Sequence, residues 1–340
     1  MGIDGRDGAL LAVEMINESK GTFDAHIDLV IRDDEGTPQG AQAADSELIQ
    51  DPSVVAIIGH MTSTAALAGL EVTQPGGVVL VSPTAATTQL SGKDDLFFRM
   101  FSGADLEANL MARHIIERGI ISVGVLLDDD NVSYTESVET AFLEKYSALG
   151  GQVPAVLSYS SSENPDFRPL LETIRESGAE ALLIIAGTQD TGIICQHARM
   201  IDWDAPLFAA RWGQGDTTIR DGGRAVEGLE AVVDFNPNET SPAYQNFLLE
   251  FRTHFNREPT FAALRSYEAV FFLAEALEKT GGKREGLPQA LLAVGEMNGP
   301  AGAFHLDAYG DVVRPHYLLR VEDGHWVTVE SYQPEEGAQP

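Results

Sequence analysis

The stretch VVAIIGHMTSTAA at residues 54–66 carries the clearest fold signal in the chain. Residues 54–58 are apolar and mostly β-branched, which predicts a buried strand. Gly59 lets the chain leave the sheet sharply, and the hydroxyls at 62–64 can cap a helix that begins at Ala65. An open α/β sheet binds ligands where a strand ends and a helix begins, and the free helix N–H groups favour a carboxylate or phosphate. On the local pattern alone, an ordinary βα turn is the favoured interpretation, because every α/β domain has several such turns.

The rest of the chain alternates between apolar strand-like runs and amphipathic helical runs. The alternation occurs twice, once up to about residue 118 and once from about 120 to 234, and it predicts βαβ units in parallel sheets. Two further helices and a few short strands follow. Besides 54–58, the predicted strands are 26–32, 78–81, 96–100, 123–127, 153–159, 181–186 and 206–210.

Composition excludes several classes of function. The chain has 340 residues and a formal net charge of -30, from 52 acidic and 22 basic side chains. A nucleic-acid partner needs a basic face, so this balance argues against one, and an anionic membrane surface is disfavoured for the same reason. No apolar stretch approaches the roughly 20 residues of a membrane span, and no signal peptide is visible.

Catalytic and metal-binding motifs are missing from the sequence. There is no phosphate loop, nucleophile elbow or zinc-protease helix, and the eight histidines lack ligand spacing. The acidic run at 128–130 fits a solvated loop better than a calcium site. Cys195 is the single cysteine, so no intramolecular disulfide forms, and its apolar surroundings predict a buried, inert thiol. We therefore expect no enzyme activity, no metal and no cofactor.

Polar side chains at the predicted strand ends suit the binding of a small polar molecule. They are Thr62, Ser63, Thr84 to Thr87, Gln189, Arg211 and Trp212. An arginine beside a tryptophan can pair with an anion and stack on a flat group, but a structural salt bridge of Arg211 is an equally good interpretation. His60 follows the turn glycine, and it either faces a pocket or is satisfied by loop backbone.

Motifs spread along nearly the whole chain resemble the branched-chain amino-acid-binding proteins, which are periplasmic solute-binding components of ABC transporters. The resemblance rests on IIGHMTST at 57–64 and VSPTAA at 81–86, with weaker matches at 8–17, 33–44, 130–134, 196–199, 222–228, 266–269 and 304–313. It implies a type I periplasmic-binding fold: two doubly wound, Rossmann-like α/β lobes joined by a three-strand hinge, with the ligand between them. It also implies an ABC permease as membrane partner and a periplasmic or extracytoplasmic location.

The resemblance also implies lobe boundaries and site residues. Lobe one comprises residues 1–118 and 237–305, lobe two residues 119–236 and 306–332, and residues 333–340 form a tail. Ser63 takes the position that holds the ligand carboxylate, and the backbone at Thr84 and Ala85 helps bind an α-amine. The full set of expected ligand-binding residues is Met61, Thr62, Ser63, Thr84, Ala85, Ala86, Tyr134, Thr188, Gln189, Arg211 and Trp212.

Two departures from the family pattern concern the ligand amine. Ala86 replaces a threonine, and Arg211 stands where the family carries a glutamate for the ammonium group. A cation there repels an amine and attracts a second carboxylate. The sequence therefore predicts an aliphatic, aromatic or dicarboxylic acid as the ligand, and Trp212 favours a flat one.

A third departure lies at the start of the chain. Family members have a signal peptide and a central strand before the helix at 8–17, and neither precedes Met1. We therefore expect perturbed packing of lobe one or strand exchange with a partner chain. The family disulfide is also missing, since Gly36 and Thr62 stand near its positions. The alternative to a transport protein is the ligand-sensing domain of a receptor or a cytoplasmic small-molecule regulator of the same fold.

Overall fold

The computed structural model describes residues 1–19 and 26–334. Its helices are α1 Gly2–Glu18, α2 Pro38–Gln50, α3 Ser63–Thr73, α4 Ala104–Glu117, α5 Val132–Ala148, α6 Phe167–Glu176, α7 Thr188–Met200, α8 Asp216–Gly222, α9 Pro242–Phe255, α10 Phe261–Thr280 and α11 Leu287–Leu292. Its strands are β1 Ala56–Ile58, β2 Val79–Ser82, β3 Phe97–Arg99, β4 Val123–Asp128, β5 Val156–Tyr159, β6 Ala181–Ile185, β7 Leu207–Ala209, β8 Glu230–Val233, β9 Met297–Gly299, β10 Gly302–Leu306, β11 Val312–Val313, β12 His316–Glu322 and β13 His325–Tyr332.

The smaller of two main sheets is parallel and has the order β1-β2-β3. Its two faces bury different side chains because successive residues of a strand point to opposite sides. Ile57 and Leu80 pack with residues of α3, whereas Val79 and Val81 pack with α10 and α11. The predicted strand at 54–58 is therefore confirmed over its last three residues, 56–58.

The larger sheet has seven strands in the order β13-β12-β8-β7-β6-β4-β5. Strands β4 to β8 are parallel, and β12 and β13 are antiparallel to their neighbours. Val125 and Leu183 face α4 and α5, whereas Leu126 and Ile184 face α6 and α7. Both faces are covered by helices, so the near-continuous apolar runs read from the sequence become buried parallel strands.

The chain crosses between the two main sheets three times, at residues 100–103, 234–241 and 314–315. Helix α4 buries Ala108, Met111 and Ile115 against the larger sheet, although the sequence placed residues up to 118 in lobe one. The sheet β11-β10-β9 packs through Phe304 and Leu306 onto the smaller sheet, so lobe one extends to about residue 313. A helical pattern shows which face is buried but not which sheet covers it, and this explains the difference.

The strand predicted at 26–32 is wrong as a paired element. Residues 26–34 form no strand, and none of the described strands pairs with them. Ile27 and Leu29 still pack against the core beside α1, as the alternating pattern indicates. A strand needs a neighbour for its hydrogen-bond ladder, and β1 pairs only with β2 among the described strands. Within residues 1–19 and 26–334, none of the helices combines the length and the apolar composition that a membrane span needs.

Candidate functional site

The N-terminus of α3 is built to leave N–H groups open. Thr62 is the N-cap, and its Oγ1 accepts a hydrogen bond from the Ala65 N–H at 3.3 Å. The first backbone bond of the helix runs from the Ala66 N–H to the Thr62 carbonyl at 3.0 Å. The N–H groups of Ser63 and Thr64 stay outside this bonding, at the positive end of the helix dipole. They can receive a carboxylate.

The loops after β1 and β2 are bound to each other by hydroxyl groups. Ser63 Oγ accepts the N–H groups of Ala86 and Thr87 at 3.0 and 3.2 Å. Thr84 Oγ1 donates to the Met61 carbonyl at 2.7 Å. The structure thus brings the predicted lobe-one residues together. Because Ser63 Oγ receives two N–H groups, its own proton is directed toward a further acceptor.

His60 does not face this loop region as a ligand-binding group. Its Nδ1 lies 2.7 Å from Asp34 Oδ2 and its Nε2 lies 3.0 Å from Asp45 Oδ2. Burial lowers the pKa of His60, but the hydrogen bonds and charges of both carboxylates outweigh burial and raise that pKa to about 9. The imidazolium therefore fixes the end of β1 against the 26–34 segment and α2, an arrangement that neither sequence interpretation foresaw.

The two lobes meet through hydroxyl contacts at this site. Thr64 Oγ1 lies 3.2 Å from Ser133 Oγ, and Thr87 Oγ1 lies 2.9 Å from Ser137 Oγ. The Thr88 N–H also donates to Ser137 Oγ at 3.2 Å. These bonds join the lobe-one loops to α5 of lobe two, so the structure has the lobes in contact.

Lobe two contributes an aromatic wall. The Tyr134 and Trp212 rings meet edge to face with centroids 5.9 Å apart, and Tyr134 is buried. A Cβ at Gly187 would lie in ordinary van der Waals contact with the Trp212 ring, at 3.4 Å, so the tryptophan packs beside the start of α7. Thr188 begins α7 and is half-buried, whereas Gln189 is exposed.

Arg211 is enclosed and paired rather than open to a ligand. Its side chain is 1% exposed, and its Nε lies 2.8 Å from Glu107 Oε2. The guanidinium also donates to the Ser102 carbonyl and stacks 4.0 Å from the centre of the Phe101 ring. This is the structural ion pair that the sequence analysis left open as an alternative.

Sequence reasoning missed Glu107. Its Oε1 accepts the Arg211 backbone N–H at 2.6 Å, and both oxygens lie 3.3–3.4 Å from the Tyr134 hydroxyl. Burial raises the pKa of the Glu107 carboxyl, and Arg211 opposes that rise. A signal was available, because Glu107 lies on the same helical face as Ala104 and Met111, both buried.

The Arg211–Glu107 pair belongs to a larger network of buried ion pairs near the crossovers. Asp234 Oδ2 lies 3.9 Å from Arg211 Nη1, and Asp234 Oδ1 accepts Arg265 Nη2 at 2.8 Å. Arg265 in turn pairs with Glu268 at 2.6 Å. The second crossover is therefore tied both to lobe two and to α10. Across residues 1–19 and 26–334, no group of three or more His, Cys, Asp or Glu side chains is arranged to hold a metal ion.

Comparison with known proteins agrees with this architecture. The family described as periplasmic binding protein matches residues 1–325. A leucine-, isoleucine-, valine-, threonine- and alanine-binding protein of Pseudomonas aeruginosa is 26% identical over 311 residues, covering 90% of this chain and 82% of the relative.

Solved structures agree as well. A leucine-binding protein of Thermotoga maritima superposes with a TM-score of 0.87 at 22% identity, covering 98% of this chain and 95% of its own. An ABC-transporter solute-binding protein of R. palustris in complex with benzoate has a TM-score of 0.85 at 19% identity, covering 97% and 91%. The chain belongs to the periplasmic binding protein family, and it is a solute-binding protein of the ABC-transporter type with the type I periplasmic-binding fold.

Proposed function

We propose that the region between the lobes binds a small ligand with one carboxylate and an apolar or aromatic body, and that the protein presents this ligand outside the cytoplasm to an ABC permease. The observation that carries the proposal is Ser63, whose buried Oγ is fixed by two backbone N–H groups. Its proton is available to a further acceptor beside the open N–H groups at the start of α3. A carboxylate supplies such an acceptor with two oxygens.

The other half of the site supports an apolar ligand body. Tyr134 and Trp212 present aromatic edges and faces, and aromatic surfaces contribute mainly by burying apolar area. Because Arg211 is already paired with Glu107, we assign it to holding this wall and not to a second carboxylate. A ligand with one carboxylate is therefore favoured over a dicarboxylic acid.

An α-amine is disfavoured by the same contacts. The Glu107 carboxylate touches Tyr134, but its oxygens already receive Arg211 and the tyrosine hydroxyl. Ala86 offers no hydroxyl to an ammonium group. A free acid therefore fits better than an amino acid, and an aromatic acid such as benzoate, present in one structural neighbour, is a natural first probe.

Isothermal titration calorimetry of the purified protein with benzoate, 4-hydroxybenzoate, succinate, leucine and valine tests the proposal. We expect saturable binding of a monocarboxylic acid and weaker or no binding of the amino acids. Tight binding of leucine or valine with none of the acids would overturn the choice of an acid. The Ser63→Ala variant should weaken binding about tenfold or more, because a hydrogen bond to a charged group contributes about 1.5–3 kcal/mol. Ser162→Ala, which removes an exposed hydroxyl, is the control.

A further inference from the structure

Arg99 ends β3 and is buried beside the loop that follows β2, which we define as residues 84–92 and call the β2 loop. Its side chain is 2% exposed, and its Nε lies 2.7 Å from Asp311 Oδ1. Nη1 donates to the Thr87 carbonyl at 3.2 Å, and Nη2 donates to Ser91 Oγ at 2.7 Å. A planar guanidinium holds several partners in fixed directions, which a single ammonium group on a flexible stem does not. Arg99 therefore fixes the β2 loop at two points.

Asp311 fixes the position of this guanidinium. It lies in the turn between β10 and β11, and that turn is closed by Asp307 Oδ1, which accepts the Asp311 N–H at 3.0 Å. Asp311 Oδ2 accepts the Gly92 N–H at 2.8 Å, at the end of the β2 loop. One carboxylate thus orients Arg99 and also holds the loop. The β2 loop is therefore bound to the body of lobe one through side chains as well as through its two flanking strands.

The peptide group between Thr87 and Thr88 connects Arg99 to lobe two. Its carbonyl accepts the Arg99 guanidinium, and its N–H, that of Thr88, donates to Ser137 Oγ of α5 at 3.2 Å. A trans peptide group is planar, and its C=O and N–H point in opposite directions. Fixing the carbonyl therefore also fixes the direction in which the N–H meets Ser137.

Thr87 extends the same connection to the candidate ligand site. Its N–H donates to Ser63 Oγ at 3.2 Å, and its hydroxyl lies 2.9 Å from Ser137 Oγ. Thr87 is fully buried, and a buried polar group that loses its partner carries a desolvation penalty. A displaced Thr87 carbonyl would therefore disturb the bonds to both serines.

We propose that Arg99 is a positioning residue of the candidate ligand site. It acts through the β2 loop, by holding the Thr87–Thr88 peptide so that Ser63 and Ser137 receive their hydrogen bonds. The part that concerns Ser63 rests on the proposed function, whereas the part that concerns Ser137 does not. The competing view is that the Arg99–Asp311 pair only stabilises the sheet of lobe one.

Amide hydrogen exchange, measured by NMR on the ligand-free protein, tests the proposal. In Arg99→Lys, the Thr87 and Thr88 amides should exchange at least about fivefold faster, because the carbonyl between them is no longer fixed. The Leu80 amide, which donates to the Leu96 carbonyl at 2.9 Å in the same sheet, should be unchanged. Equal acceleration of Leu80 and Thr88, or no acceleration of Thr88, would overturn the proposal.

A milder variant keeps the test decisive if Arg99→Lys does not fold. Ser91→Ala removes one partner of the guanidinium and leaves its ion pair intact, so the Thr88 amide should still exchange about twofold faster or more. The matched control is Arg257→Lys, which alters another arginine–aspartate pair of lobe one, Arg257 with Asp7 at 2.7 Å. It should leave the Thr88 amide unchanged. An unchanged Thr88 rate in Ser91→Ala, or an equal acceleration in the control, would contradict the proposal.

The dissociation rate of benzoate, measured by stopped-flow fluorescence, separates positioning from a general loosening of lobe one. Arg99→Lys should raise this rate about fivefold in the parent protein but only about twofold in a Ser137→Ala background, because both substitutions act on the same contact. Fully additive effects would show that Arg99 does not act through the Thr87–Thr88 peptide, and the proposal would be wrong. Amide exchange needs no ligand, so failure of benzoate to bind would count against the proposed function and not against this role of Arg99.

Discussion

Arg211 Nε lies 2.8 Å from Oε2 of Glu107, and the two side chains are only 1% and 2% exposed. The pair is held within lobe two, since a short 3₁₀ turn after β7 carries Arg211 and α4 carries Glu107. It also supports Tyr134, whose hydroxyl lies 3.3 Å from the same carboxylate. Loss of one partner therefore affects both the stability of lobe two and the aromatic wall of the candidate site.

Glu107→Gln should lower the free energy of unfolding by about 3–5 kcal/mol, because it leaves the enclosed Arg211 charge with only the more distant Asp234 carboxylate, 3.9 Å away. Urea denaturation followed by circular dichroism measures this loss. Glu144→Gln, at an exposed position of α5, is the matched control and should change stability by less than about 0.5 kcal/mol. A Glu107→Gln variant as stable as the control would show that Glu107 is not needed to neutralise the buried charge of Arg211.

Replacing both members of the pair should restore most of the lost stability. In Glu107→Leu with Arg211→Met no buried charge is left unpaired, and apolar side chains of similar volume often replace a buried ion pair at little cost. The same urea titration compares the double variant with the two single variants. A double variant whose loss equals the sum of the single losses would show that the side chains act independently.

Ser137→Ala should weaken the contact between the lobes. Ser137 Oγ bonds the hydroxyl of Thr87 at 2.9 Å and the N–H of Thr88 at 3.2 Å. A hydrogen bond contributes a net free energy of about 1 kcal/mol, so its loss should weaken ligand binding roughly fivefold. Most of this effect should appear as a faster dissociation rate of the ligand. Stopped-flow fluorescence with the acid identified by calorimetry measures the rates. Thr140→Ala, exposed on the same helix, should leave them unchanged.

Cys195 should report global unfolding. The thiol is buried, as the apolar pattern around it predicted, and burial raises its pKa to about 12. A thiol reagent at pH 8 should therefore react with the folded protein far more slowly than with protein in concentrated urea. Rapid labelling of the folded protein, at the rate seen in urea, would show that α7 opens without global unfolding.

The local motifs of the site were readable from the sequence, because they depend on neighbours in the chain. Gly59, the cap at Thr62 and the hydroxyl at Ser63 form one strand-turn-helix unit, as the pattern predicts, although the helix begins at Ser63 and not at Ala65. The resemblance to a known family supplied the pairing of this unit with the loop at 84–86. These residues do meet, through bonds from Ala86 and Thr87 to Ser63.

Contacts between distant residues were not readable. Glu107 and Arg211 are 104 positions apart, and the sequence around either residue does not indicate that the two are in contact. The two carboxylates around His60 come from α2 and from the segment before it, which the sequence treated as separate elements. The 26–32 segment has the alternation of a strand, yet pairing depends on a neighbour at hydrogen-bonding distance, and periodicity does not report that neighbour.

His60 should make the stability of the protein depend on pH. Its pKa is raised to about 9 in the folded protein, where Asp34 and Asp45 hold the imidazolium, against 6.5 for the free side chain. A raised pKa gives stability that is fully present below about pH 6.5 and is lost as the pH rises through about 9. The shift corresponds to about 3 kcal/mol. His60→Asn should therefore be less stable than the parent protein near pH 6.5, and the difference should shrink toward pH 10.

Urea titrations at several pH values between 6 and 10 measure that difference. At each pH, the free energy of unfolding of the variant is subtracted from that of the parent protein. This difference removes the contribution of other titrating groups, including Glu268, whose pKa is raised to about 7 by burial. His305→Asn, at an exposed histidine, is the control and should change the free energy of unfolding by less than about 0.5 kcal/mol. A His60→Asn difference that stays constant from pH 6 to pH 10 would show that the imidazole is neutral in the folded protein and that its bonds to Asp34 and Asp45 carry no net charge interaction.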